Sequence, residues 1–367
     1  MKNFKLILNL VIVASSFMFF QCTSEYTPIA GADGKDGVDG VDGVDGSDAN
    51  AALCISCHSS THRDPIINAY ATSGHATGSS WARGTSADCA QCHNNQGYID
   101  YLSGQYLTDG VQSANPDGYA VSSGINCTGC HDAHRSFDFE NDGNDYALRN
   151  IDPVKLVIDP TVSIDLANTN EPLGLSNTCV TCHQPRPSYP VPAGTEDVTV
   201  TSYRYGPHHG PQSTLFEGIM GANIAGSTAY PGIGASGDSG HRKGASCVTC
   251  HMGESTVATE GGHTWAINEE ACLTCHTNGA PSEVSGFATD FTTLHNLLVA
   301  KGFIDEDGYV LGASGARAST SNPGVYPVKD AQVIWNYKTL EEDKSNGVHN
   351  PKYAKALLKN SLEYLQN

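Results

Sequence analysis

The chain has little with which to build an ordinary core. Only 39% of its 367 residues are hydrophobic, and 39 are Gly, a thin apolar supply for a chain of this length. Disulfides cannot make up the deficit. Twelve of the 13 cysteines fall in one repeated motif, and the last, Cys22, stands alone. Cations are scarce too, with 20 Lys and Arg against 39 Asp and Glu and a formal net charge of -19. That balance argues against nucleic acid or an anionic membrane face as a partner and favours metal ions or a basic protein. Long apolar runs are also missing. The longest, Leu6 to Phe20, is about 15 residues, short of a comfortable membrane span.

What is present is the motif Cys-x-x-Cys-His, six times over. The copies run Cys54, Cys57, His58; Cys89, Cys92, His93; Cys127, Cys130, His131; Cys179, Cys182, His183; Cys247, Cys250, His251; and Cys272, Cys275, His276. Two thiols at this spacing add across the two vinyl groups of one haem, and the His that follows lies under the iron as proximal ligand. A lone Cys-x-x-Cys would read equally as a redox dithiol or half a zinc site. Six copies, each with His in fifth place, read as six covalently bound haem c groups. Their porphyrins would supply the missing apolar surface. The expected fold is mostly α with extensive irregular loops and little β, packed around six haems and scarcely stable without them.

The first 21 residues read as an export signal, with Lys2 and Lys5 ahead of the apolar run. This agrees with haem attachment outside the cytoplasm. Cys22 follows directly and reads as a lipidation site anchoring the protein to a membrane. Phe20-Gln21 is a poor processing site, however, and ordinary cleavage nearby is the alternative. Residues 22–50 carry Gly at every third position from Gly31 to Gly46. That is the collagen period, but without Pro and with Asp stacking like charges, a flexible acidic tether is the better reading. Residues 51–367 then form the hexahaem domain. The whole would be exported and lipid-anchored to the outer membrane or cell surface, or extracellular.

Nine histidines lie outside the motifs, and they decide the chemistry. An iron with two His ligands passes electrons, and an iron with one can bind substrate. His75, His134, His208, His241, His263 and His349 are the expected distal ligands. His134 lies too near its own motif to reach that haem and would serve a neighbour. His208 and His209 share a turn-like Gly-Pro-His-His-Gly stretch, from which His208 is preferred. His349 precedes a helix capped by Asn350 with Pro351 at its first position. A second helix is expected from Asp330 to about Leu340. His62, in a polar loop, and His295, on an amphipathic helix, are spares, and Met220 and Met252 are weaker candidates.

The six motifs resemble those of secreted multihaem c-type cytochromes of respiring bacteria, as do Gly-Pro-His-His-Gly-Pro-Gln at 206–212 and the stretch from Ala331 to Leu358. The resemblance implies a distal role for His349. It also implies electron transfer, either to redox partner proteins or to an extracellular metal or mineral, and homopolymerisation as a conductive filament is a further option. The multihaem reductases of nitrite, hydroxylamine or tetrathionate type are the alternative. They need one open haem, often in a motif with Lys in place of His, and all six motifs here end in His.

Overall fold

The computed structural model describes residues 51–367 apart from 109, 140, 142, 143 and 187. The expected signal peptide, Cys22 and the acidic tether lie outside the described residues. Among the described residues no helix is long and apolar enough to cross a membrane. The chain is mostly helical. Its strands form three two-stranded antiparallel pairs, Tyr106–Thr108 with Val111–Ser113, Val154–Lys155 with Ser163–Ile164, and Val198–Val200 with Gly324–Tyr326.

The thin apolar supply is spread unevenly. Three helices, Phe287–Ala300, Val328–Asp343 and Pro351–Gln366, gather most of the buried apolar residues into one core with Val200, Tyr205, Leu215 and Ile224. Along the last helix Tyr353, Ala354, Leu357, Leu358 and Leu365 recur at helical spacing and are buried. Asn350 caps that helix by accepting from Tyr353 N, and Pro351 starts it. Helix Val328–Asp343 is buried on nearly all sides. It tolerates this because its polar groups are satisfied: Asn336 accepts from Ala222 N at 2.8 Å and donates to Ala222 O at 2.9 Å. The residues from Val200 onward therefore hold a packed core of their own, contrary to the expectation that porphyrins supply apolar surface throughout.

Trp335 sits at the centre of this core, 0% exposed, with Nε1 donating to Met220 O at 2.8 Å. Trp335→Ala is expected to destabilise the protein by about 3–5 kcal/mol, the scale of a large-to-small core change. Haem content should stay unchanged, which thermal unfolding together with intact mass would check.

The helices in and beside the motifs differ in kind. Ser60–Thr72, Gly74–Thr77, Cys247–His251 and Glu269–Leu273 bury none of their residues. Short helices with no buried face are not self-sustaining in water. His62, expected in a loop, lies on helix Ser60–Thr72. A second, smaller core of Val154, Leu156, Ile164, Leu166, Val180 and Phe216 holds the fourth motif.

Candidate haem-binding sites

Each motif makes about one helical turn, and where the helix itself ends sooner the turn is still closed, His183 N donating to Cys179 O and His276 N to Cys272 O at 2.9 Å. Positions i, i+3 and i+4 share a helical face, so both thiols and the imidazole are presented together. Polar residues just before the motifs start these turns. Asn126 accepts from Thr128 N, Ser246 from Thr249 N, and Asn268 from the amides of Glu270 and Ala271. None of the twelve motif cysteines is disulfide-bonded.

The fold brings histidines from distant parts of the chain face to face. His58 and His134 have ring centroids 6.0 Å apart, His183 and His75 6.3 Å, and His131 and His263 6.2 Å. His251 and His349 are 6.4 Å apart, and His276 and His241 6.0 Å. The narrow range has a simple chemical meaning. A metal-bound imidazole nitrogen lies about 2 Å from the metal. Its ring centre is about 1 Å further back, so two imidazoles on opposite sides of one iron have centroids roughly 6 Å apart. These are pairs and not clusters. Among the described residues no three of His, Cys, Asp and Glu converge to hold a bare metal ion.

The outer nitrogens fit the same geometry. His131 Nδ1 donates to Tyr146 O at 2.8 Å, His251 Nδ1 to Trp265 O at 3.0 Å, and His241 Nδ1 to Val348 O at 2.6 Å. His183 Nδ1 faces Gln212 Oε1 at 3.3 Å, His349 Nδ1 the Asp343 carboxylate at 2.6 Å, and His209 Nδ1 that of Glu342 at 2.6 Å. Occupying Nδ1 in this way orients each ring and leaves Nε2 as the inward donor. Burial also keeps several rings in the neutral form that binds iron. His75 is pushed down to about 4 by burial and the nearby His183, and burial likewise lowers His251 and His263. His134 Nδ1 is buried without a hydrogen-bond partner among the described residues.

Local devices hold the second member of each pair. Ser73 caps the turn Gly74–Thr77 and so aims His75, whose ring meets Trp265 at 4.6 Å. Arg242, 3% exposed, forms a 2.5 Å ion pair with Glu217 that anchors helix Gly240–Gly244 and with it His241. His263 lies in a 3-10 turn, Gly262–Thr264, and packs against Trp265. His349 ends the loop between the last two helices. His295 is instead satisfied by Tyr337 Oη at 2.9 Å.

The second motif stands apart. Gly84 packs on the His93 carbonyl, and its neighbour Arg83 lines one pocket with His208 and His209, which sets that pair of histidines beside the second motif. His208 and His209 both have positive φ, 50° and 54°. Two consecutive non-glycine residues in this region are strained, which marks a site the surrounding fold is holding in place. His208 turns its Nε2 toward Arg186 Nη1 at 3.4 Å, whereas His209 Nε2 has no hydrogen-bond partner among the described residues.

The motif turns also touch one another. Cys182 Sγ donates to Gln91 O at 3.8 Å, and Val248 N in the fifth motif donates to Ser176 Oγ, just before the fourth, at 3.1 Å. Gln91 Nε2 donates to Thr181 O at 3.2 Å, which fastens the second motif to the fourth. Arg149 N donates to Cys130 O at 2.8 Å and Thr178 Oγ1 to the carbonyl of the next residue, Asn150 O, which ties the third motif to the fourth, while Asn268 N, before the sixth motif, donates to Cys250 O of the fifth at 2.8 Å.

Comparison with known proteins gives relatives of matching chemistry. The c-type polyhaem cytochrome OmcB of Geobacter sulfurreducens is 23% identical over 346 residues, covering 78% of this chain and 45% of its own length. OmcC of the same organism, also a c-type polyhaem cytochrome, is 23% identical over 384 residues, covering 86% and 48%. The chain is a relative of the c-type polyhaem cytochromes. It spans about half the length of the curated relatives it matches. No family model matches. The crystal structure of outer cell wall cytochrome OcwA aligns with a TM-score of 0.48 at 17% identity, over 82% of this chain and 50% of that one.

Two residues with no place in the sequence reading emerge at these sites. Glu342 and Asp343 are neighbours at the end of helix Val328–Asp343, and each accepts from a different histidine. A local signal was there to be read. Glu341-Glu342-Asp343 puts three acids in the last turn of a helix, where the helix dipole favours cations.

Proposed function

We propose that residues 51–367 bind six haems and conduct electrons through them to a redox partner protein or an extracellular metal or mineral acceptor. The observation that carries this reading is the set of five histidine pairs with centroids 6.0–6.4 Å apart, each containing one motif histidine. In each pair the motif histidine is the proximal ligand, and His134, His75, His263, His349 or His241 the distal one. For the second motif the distal ligand is His209 rather than the expected His208. An iron closed on both faces exchanges electrons without binding substrate.

The hydrogen bonds that tie the motif turns together support an order. The haem of the fourth motif lies between those of the second, third and fifth. The sixth continues from the fifth. The first is reached through His134, three residues beyond His131. The chain of haems therefore branches at the fourth motif and has three ends, at the first, second and sixth. Export and lipidation of Cys22 complete the proposal and would place this conduit at the outer membrane or cell surface.

Low-temperature EPR of the oxidised holoprotein tests it, with haem number fixed by intact mass. Six haems, all low-spin, are expected. His209→Ala should turn one haem high-spin, while His208→Ala should leave all six low-spin. A stoichiometric high-spin signal already present in the wild type, and unchanged by His209→Ala, would mean that the second haem is open. An oxidoreductase of nitrite, hydroxylamine or tetrathionate type would then be the better reading.

A further inference from the structure

We propose that the paired carboxylates at the end of helix Val328–Asp343 hold the haems of the fifth and second motifs at the low-potential end of the chain. Asp343 acts on the fifth through His349, and Glu342 acts on the second through His209. The inference rests on the haem reading above and goes beyond it by ranking the haems.

The outer nitrogens meet different partners. His131, His251 and His241 donate Nδ1–H to neutral backbone carbonyls, and His183 faces a neutral amide oxygen. Only His349 and His209, among the described ligand candidates, meet a carboxylate, at 2.6 Å in both cases. A carboxylate draws the Nδ1 proton toward itself and makes the ring a stronger electron donor through Nε2. A stronger donor favours Fe(III) over Fe(II). The carboxylate's own negative charge acts in the same direction, and most strongly where water is excluded. One electron, supplied by a redox partner, converts Fe(III) to Fe(II) at each haem. The Nδ1 proton stays in its hydrogen bond, and no bond is made or broken.

The two carboxylates are not equal. The Asp343 side chain is 1% exposed and that of Glu342 16%. Ser345 donates to Asp343 through both its backbone N and its hydroxyl, which holds the carboxylate in place. The larger effect therefore belongs to the fifth motif. The position of the acids supports a functional reading, because they sit against the helix dipole. A locally unfavourable choice with no packing gain is expected at functional sites. The helix end also reaches a third site. Gln212 Nε2 donates to Glu342 O at 3.1 Å while its Oε1 faces His183. That link brings no charge, so the haem of the fourth motif is left at higher potential. Electrons held there would have to climb to reach either flanking haem.

The test is a redox titration of the full holoprotein, followed optically and by EPR, on wild type, Asp343→Asn and Glu342→Gln, with haem number from intact mass. Asp343→Asn should move one haem component to higher potential. It should also raise the largest g value of one low-spin signal as the ligand loses anionic character. Glu342→Gln should shift a different component in the same direction by a smaller amount. Six low-spin haems with unmoved potentials in both variants would overturn the proposal. If Asp343→Asn loses its axial ligand and turns high-spin, Glu342→Gln decides alone. A wild type with fewer than six haems is the failure of the haem reading instead, and the two failures are distinguishable by mass.

Discussion

Prepared without haem, the chain is expected to lose its order through the motif region while its last three helices persist. The reason lies in where the apolar residues are. Leu294, Leu298, Val333, Ile334, Trp335, Ala354 and Leu357 are 0% exposed in a core that contains no motif residue. Each buried aliphatic side chain of this kind contributes about 1.5–3 kcal/mol. Around the first motif nothing comparable exists. The helices Ser60–Thr72 and Gly74–Thr77 bury no residue, and Leu53 and Ile55 are 53% and 61% exposed. Without porphyrins to lie against, these turns have only propensity to sustain them, which is insufficient at their length. Hydrogen exchange on protein made without haem attachment would show protected amides in Phe287–Ala300, Val328–Asp343 and Pro351–Gln366 and near-unprotected ones from 51 to about 131. Equal protection in both regions would show that the motif helices do not depend on haem.

Replacing Cys179 and Cys182 together by Ser is the second change expected to have a large effect. Intact mass should show one haem fewer, with the other five retained. Electron exchange between the haems of the first and third motifs and those of the fifth and sixth should collapse, because their connection runs through the fourth. Stability should fall as well, by about 3–5 kcal/mol, the scale set by emptying a large buried volume. The fourth motif is the most embedded of the six. Val180 and Asn177 are 0% exposed. Asn177 accepts from Leu166 N at 2.8 Å and donates to Ile151 O at 2.9 Å and to Asp165 at 3.0 Å. The equivalent pair of changes at Cys54 and Cys57, both exposed, should remove one haem with little loss of stability and leave exchange among the others intact. Stopped-flow reduction monitored at the haem absorption would separate the two cases. Matching kinetics and stability in both double variants would sink the branched order.

Much of the local structure could be read from the residues. The C-terminal helix announces itself through Asn350, Pro351 and the apolar spacing that follows, and the structure places it at Pro351–Gln366. The preceding helix is longer than expected, running from Val328 to Asp343. Its last turn contains acids that oppose the dipole, which weakens the local signal for continuation. His62 sits on a helix rather than in a loop, a setting its polar neighbours conceal. His208 and His209 are indistinguishable in the sequence. They differ only in what the fold sets beside them, Arg186 for one and Glu342 for the other.

The sequence by itself determined how many Cys-x-x-Cys-His motifs there are, that each sets two thiols and an imidazole within five residues, and that the protein is strongly acidic. These are local or compositional properties, complete within five residues or summed over the chain. Only the tertiary structure decided which histidine faces which. His58 meets His134, and His131 meets His263, across chain separations that no periodicity encodes. The same holds for Glu342 and Asp343. An acid at a helix end becomes an electronic influence on a histidine only when packing brings that histidine to it, and packing is a property of the whole core rather than of any segment.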